Sequence, residues 1–307
     1  MAEELSKDVS SGLIEKLGGF AGKWSGFTAL GSFVIYLLGY LTLRFQLSTY
    51  GVATNLDLLD EKYFFAGCRF LVYLVSSVPN TLIIVLLLAA IGCVPYALTP
   101  ASIRHRIGEW AAGWAARPLQ LPLLGTILAI AMIQFVLRRC FALGNVLLQK
   151  QLPDEWISSV LLSNDGRLSL YFSGLVAGAV LTGSIFWYVS RRGSATTTMA
   201  KLFFAVLGFL VAVEFLLLPV NYGVLISTQL LPRVSELGGD EKVLDGERGW
   251  LVWDSKDAFT YFIIGPGDKR TLLTTPRKEG KVKIVAYDDI YCVLFSADHT
   301  NSRPCAR

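Results

Sequence analysis

Charged residues and histidine are scarce in this sequence. Asp, Glu, Lys and Arg together make up 17% of its 307 residues, and histidine appears only as His105 and His299, in separate regions and beside no cluster of cysteine or acid. So thin a set of ligands points away from a metal centre, and we expect no metal and no cofactor. Catalytic motifs are missing too: there is no Gly-Xaa-Ser-Xaa-Gly elbow, no His-Glu-Xaa-Xaa-His pair and no phosphate-binding glycine loop, so we expect no enzymatic activity. A net charge of only +4, with the basic residues mainly in short loops beside apolar runs, excludes nucleic acid as a partner.

What the chain has in abundance is apolar surface. Hydrophobic residues make up 53% of it and the mean hydropathy is +0.51, more than a soluble core of this size can absorb. The expectation is an α-helical polytopic membrane protein with about five spans, whose first partner is the lipid bilayer. A spanning helix needs about 20 apolar residues, because roughly 30 Å of hydrocarbon is crossed at about 1.5 Å per residue. Phe27 to Leu47 meets that requirement, with Arg44 near enough to the end to snorkel. Leu121 to Leu137, Leu168 to Tyr188 and Leu202 to Leu218 follow, the last continuing past Pro219 toward Leu231. Phe64 to Leu98 is too long for one straight span and carries Pro79 and Asn80 near its middle. Proline there predicts a kink or break, either for packing or as a half-helix lining a substrate cavity. Cys140 to Gln151 and Trp156 to Leu162 are too short to span and read as interfacial or re-entrant pieces.

Three features within the spans are candidates for function or assembly. Glu214 is an acid at membrane depth, where a carboxylate must be protonated, paired or wet; one reading is an ion or proton role, and the other a structural pairing with Arg138 or with the amide of Gln134 or Asn80. Gly174 and Gly178 form a small-xxx-small pair, with Gly183 nearby, which predicts a helix-packing face. Pro79 and Asn80 complete the polar candidates. The acidic run Asp57, Asp60 and Glu61 reads as a helix start, and an intramembrane enzyme would need Glu214, Asp57 or His105 to converge.

The ends differ from the middle. Residues 1–26 carry Glu3, Glu4 and Asp8 and lack the apolar core of a signal peptide. Leu13, Ile14, Leu17 and Phe20 share one helical face, which predicts an amphipathic interfacial helix. Arg104 to Arg117, with Trp110 and Trp114 four residues apart, has the same character. Residues 27–231 form the helical domain, and from Pro232 to Arg307 the sequence turns to short alternating strands. Trp250 to Asp254, Phe259 to Ile264, Thr271 to Thr275, Lys281 to Ala286 and Ile290 to Phe295 predict a small all-β barrel or meander, with turns at Gly265 to Asp268 and Lys278 to Gly280. Cys292 and Cys305 are the candidates for a disulfide, since both lie in this domain.

Lys7, Lys16, Lys23, Arg104, Arg106, Arg117, Arg191, Arg192 and Lys201 fall on one side of a five-span arrangement, against Lys62, Arg138, Arg139, Lys150 and Arg167 on the other. This bias predicts a cytoplasmic N-terminus and an extracytoplasmic C-terminal domain, in the plasma (bacterial inner) membrane. The function expected is that of an accessory or assembly subunit of a larger membrane complex, docking other membrane-protein subunits through its helical faces and β-module; a homo-oligomer is the other assembly considered. The alternative is an ion channel or transporter built on the Pro79 break and Glu214, against which stands the absence of an internal repeat.

Overall fold

The computed structural model describes residues 2–52, 61–117, 119–149, 166–192, 198–225, 230–237, 242–243, 247–277 and 282–295. Its long elements follow the apolar runs. Helix α1 (Ala2–Tyr50) is followed by α2 (Glu61–Ser76), α3 (Val78–Leu98), α4 (Ala101–Ala116), α5 (Gln120–Ala142), α6 (Gly166–Arg192) and α7 (Thr198–Leu225). Five stretches, Gly26–Tyr50, Val78–Leu98, Gln120–Cys140, Leu168–Arg191 and Thr198–Leu225, are long and apolar enough to cross a membrane. At the backbone α1 is one unbroken helix of 49 residues, about 73 Å at 1.5 Å per residue, so the N-terminal stretch and the first candidate span are continuous.

The long second apolar region breaks where proline predicts. Ser77 separates α2 from α3, and Pro79 occupies the first turn of α3, where its missing N–H costs nothing. Arg104 closes the far end of α3 by donating to the carbonyls of Ala97 and Thr99 while lying over the Tyr96 ring, a cation placed at a helix C-terminus.

Helix directions follow from the pairs in contact. Tyr171 meets Phe135 and the Gly178 position meets Met132, so α5 and α6 are antiparallel. Thr182 meets Glu214 and Phe186 stacks on Phe204, so α6 and α7 are antiparallel as well. The chain after α5 forms no interfacial helix as far as residue 149. It makes a tight turn in which Leu143, Val146 and Leu147 are buried, Asn145 takes a positive φ, and the Val146 amide donates to the Thr49 carbonyl. The buried leucines and valine belong to the core below the sheet, which is why this apolar piece leaves the surface. Residues 150–165, including the Trp156 to Leu162 island, lie outside the described residues.

The C-terminal part is an antiparallel sheet of β1 (Leu230–Val234), β4 (Arg248–Asp254), β5 (Ala258–Gly265), β6 (Lys269–Pro276) and β7 (Ile284–Asp289) in the order β6-β5-β4-β1-β7, beside a two-stranded ribbon of β2 (Glu236–Leu237) and β3 (Lys242–Val243). The order is that of an open sheet: a β4-β5-β6 meander extended by β1 and β7. Two expectations are corrected. Strand β1 straddles the proline at 232, tolerated because β1 pairs with β4 only at Arg233 and Val234. Ile290–Phe295, expected as a strand, is helix α8, whose buried Ile290, Val293 and Leu294 fall at helical spacing. The domain is therefore not all β.

Strand β5 is buried along both faces, and period-two alternation sorts its side chains. Phe259, Tyr261 and Ile263 gather with Val234 and Leu237 on the outer face. Phe262 and Ile264, with Trp250 and Leu231, enter one core with Leu47, Tyr50, Val146, Leu147 and Leu225 from the helix ends and with α8. The sheet is thus seated on the ends of α1, α5 and α7. Two cations pin it there. Lys62, in the first turn of α2, donates to the Asp254 carbonyl over the Trp253 ring. Arg270 donates to the carbonyls of Gln149 and Leu294 and pairs with Asp268.

Candidate functional site: a polar cluster inside the helices

Glu214, Leu217, Leu218 and Asn221 follow one another at i, i+3, i+4 and i+7 along α7, so they share a face. That face meets Met132, Ile133 and Val136 of α5 and Leu175 and Ala179 of α6 around a cavity of about 10 Å³ at water centres, room for about one water molecule. Glu214 is 4% exposed. Its Oε2 is hydrogen-bonded to the Thr182 hydroxyl, and its Oε1 has no hydrogen-bond partner among the described residues. Asn221, fully buried, donates through Nδ2 to the Leu217 carbonyl at 2.8 Å and accepts a weak bond from the Cys140 thiol at 3.6 Å.

The partner of the acid is thus a threonine of α6, and not Arg138, Gln134 or Asn80. Thr182 also lies 3.2 Å from the Gly178 carbonyl and 3.1 Å from that of Ala179. A hydroxyl one turn after a glycine, facing an acid on the next helix, is a signal the sequence carried, but only the relative rotation of α6 and α7 brings the two together.

The other candidates lie elsewhere. Asn80 donates to the Ser169 hydroxyl and so ties the α3 break to the first turn of α6. Thirteen residues, about 20 Å of helix, separate Ser169 from Thr182. The break at Pro79 and the acid at Glu214 therefore share no cavity. His105 is 76% exposed on α4 and pairs with Glu109, remote in kind from the buried acid, while Asp57, Asp60 and His299 lie outside the described residues.

Among the described residues, of the three expected packing glycines only Gly178 has a close contact with a neighbouring helix. Gly174 has open space where a side chain would be, and Gly183 has only ordinary contacts with Val211 and Phe215. Gly178 admits the Met132 side chain, 2.3 Å from where a Cβ would stand. The backbone contacts are at Gly39, Gly67 and Gly223 instead, each with a carbonyl of another helix pressed against it. In the sheet domain, Cys292 is disulfide-bonded, and Cys305 lies outside the described residues. Among the described residues no three His, Cys, Asp or Glu side chains gather at a metal-binding distance.

Comparison with protein-family models, with curated proteins and with solved structures gave no match for this chain.

Proposed function

We propose that the chain is a multi-pass membrane protein, crossing five times through α1, α3, α5, α6 and α7, and that it serves as a non-enzymatic accessory or assembly subunit of a larger membrane complex. The observation that carries this reading is a sheet edge that pairs on one side only among the described residues. Strand β7 is an edge strand, and Ile284, Val285 and Tyr287 on it are exposed apolar residues. By register Tyr287 lies beside Pro232 and Ile284 beside Val234, with Val285 at the irregularity between them, which puts Tyr287 and Ile284 on the same outer face as the Phe259, Tyr261 and Ile263 cluster that Val234 joins. The apolar Ile284–Tyr287 stretch of this edge strand, ahead of Asp288 and Asp289, invites an added strand unless something covers it. The sheet that bears it is fixed to the helices by the shared core, Lys62 and Arg270, as a rigid platform for a partner.

The bilayer placement rests on α3. Leu82, Ile83, Leu86, Leu87, Leu88 and Ile91 are all exposed, Leu86 by 67%, and a 21-residue helix spans about 31 Å, the thickness of the hydrocarbon layer. Five crossings put the N-terminus and the sheet on opposite sides. The disulfide at Cys292 favours an oxidising compartment for the sheet, with the N-terminus cytoplasmic and the protein in the plasma (bacterial inner) membrane.

The test uses the double variant Val285→Lys, Tyr287→Lys in the full chain, purified from its native membrane in mild detergent. The variant is expected to fold as the parent does and to lose subunits that the parent retains at fixed stoichiometry. A parent that purifies alone, with or without the lysines, sinks the proposal. A channel is the second reading, favoured by the unpartnered oxygen of Glu214. It would show as ion flux through liposomes that Glu214→Gln alters without changing the amount of folded protein.

A further inference from the structure

The polar cluster supports a statement about protons that does not depend on which partners the chain has. Thr182 has one hydroxyl proton, yet its oxygen lies within hydrogen-bond reach of three acceptors: the Gly178 carbonyl, the Ala179 carbonyl and Glu214 Oε2. A helical threonine ordinarily gives its proton back to the preceding turn. If it does so here, the bond to Glu214 needs a proton from the acid. We propose that Glu214 carries its proton and donates it from Oε2 to Thr182, and that its Oε1 and the side chain of Asn221 together hold one internal water.

Under this arrangement each proton has a place. Glu214 donates to Thr182, Thr182 donates to the Gly178 or Ala179 carbonyl, and Asn221 donates to the Leu217 carbonyl. Glu214 Oε1 would otherwise be a buried acceptor without a donor, a costly arrangement in so apolar a setting. The cavity beside it has room for about one water, and a water needs two or more polar partners. Oε1 supplies one acceptor and Asn221 Oδ1, which receives only the weak thiol bond of Cys140, supplies another. Glu214 and Asn221, two turns apart on α7, both line that cavity. A metal cation fits less well: besides these two oxygens the cavity is lined by apolar side chains, and a hard cation takes six or more oxygen ligands.

The test is infrared difference spectroscopy on the full chain in lipid nanodiscs at neutral pH. The parent should show the C=O stretch of a protonated carboxylic acid, and Glu214→Gln should lose it. Thr182→Val, which keeps the acid and removes its acceptor, should shift the band to higher frequency and leave its intensity unchanged; this variant keeps the test valid if Glu214→Gln fails to fold. A parent without the band, or a band unmoved in both variants, overturns the protonated acid. A high-resolution structure should show one isolated density peak in hydrogen-bonding range of Glu214 Oε1, and a dry cavity overturns the water.

Discussion

Gly39 and Gly67 face each other across α1 and α2 with no room for a side chain on either. A Cβ on Gly39 would stand 1.7 Å from the Tyr63 carbonyl oxygen, and one on Gly67 would stand 2.0 Å from that of Ile35. Because residue 39 meets 63 and residue 35 meets 67, the two helices are antiparallel, and the contact is reciprocal. Tyr63 then packs edge-on against Tyr36 and Tyr40.

Alanine at either glycine must therefore push one backbone off the other. Gly39→Ala and Gly67→Ala are each expected to destabilise the protein by at least about 1–3 kcal/mol, the range for overpacking a filled core, seen as a lower melting temperature in detergent. Gly174→Ala, which meets open space, is the control and should change little. Equal effects at all three positions would refute the close crossing.

Arg270 is a buried clamp. Its side chain is 7% exposed and serves two carbonyls and Asp268. Arg270→Ala leaves the Gln149 and Leu294 carbonyls without that donor and is expected to cost about 2–3 kcal/mol. Arg270→Lys should recover only part of it, because a single ammonium cannot reproduce the forked geometry. Limited proteolysis of the full chain, compared across the three proteins, reads the loosening.

The helical form of Ile290–Phe295 separates from a strand by a simple pair. Val293 and Leu294 are both buried, each 4% exposed, whereas adjacent residues of a half-covered strand point to opposite sides. Leu294→Ala is expected to cost about 2–5 kcal/mol, and Val293→Ala a smaller but measurable amount, by chemical denaturation of the full chain. A Val293 variant as stable as the parent would favour a strand.

The five crossings we propose, with the bond at Cys292, make a prediction about sidedness. In sealed right-side-out vesicles, an impermeant thiol reagent should label a single cysteine placed at Gly267, in the exposed β5-β6 turn, and miss one placed near Met1. Cys292 itself should react only after reduction. Labelling of both engineered sites from the same side would require an even number of crossings.

The long elements were readable because twenty apolar residues in a row have few other uses, and the break before α3 because proline cannot continue a helix unaided. The packing glycines were not. Of 28 glycines, the ones that matter are those that the rotation of each helix turns toward a neighbour, and the Gly174 and Gly178 spacing has nothing in it to say which way the helix faces. Thr182 stayed hidden for the same reason. Ile290–Phe295 reads as a strand because Ile, Tyr, Val and Phe all favour strands, while the burial of Ile290, Val293 and Leu294 against the helix ends decides for a helix. Leu230 and Leu231 looked like the close of the last span because their role as strand β1 depends on partners, β4 and β7, that come later in the chain.

The single core that joins the helix ends to the sheet has a consequence for biogenesis. Leu47, Tyr50, Val146 and Leu147 are made early, yet the residues that close over them, Trp250, Phe262, Val293 and Leu294, emerge last. Until Leu294 has been made, that apolar end of the bundle lacks the side chains that close over it. A chain halted before β4 would leave Leu47, Tyr50, Val146 and Leu147 without the cover that Trp250, Phe262, Val293 and Leu294 give them, so the helix ends are finished only when the sheet is.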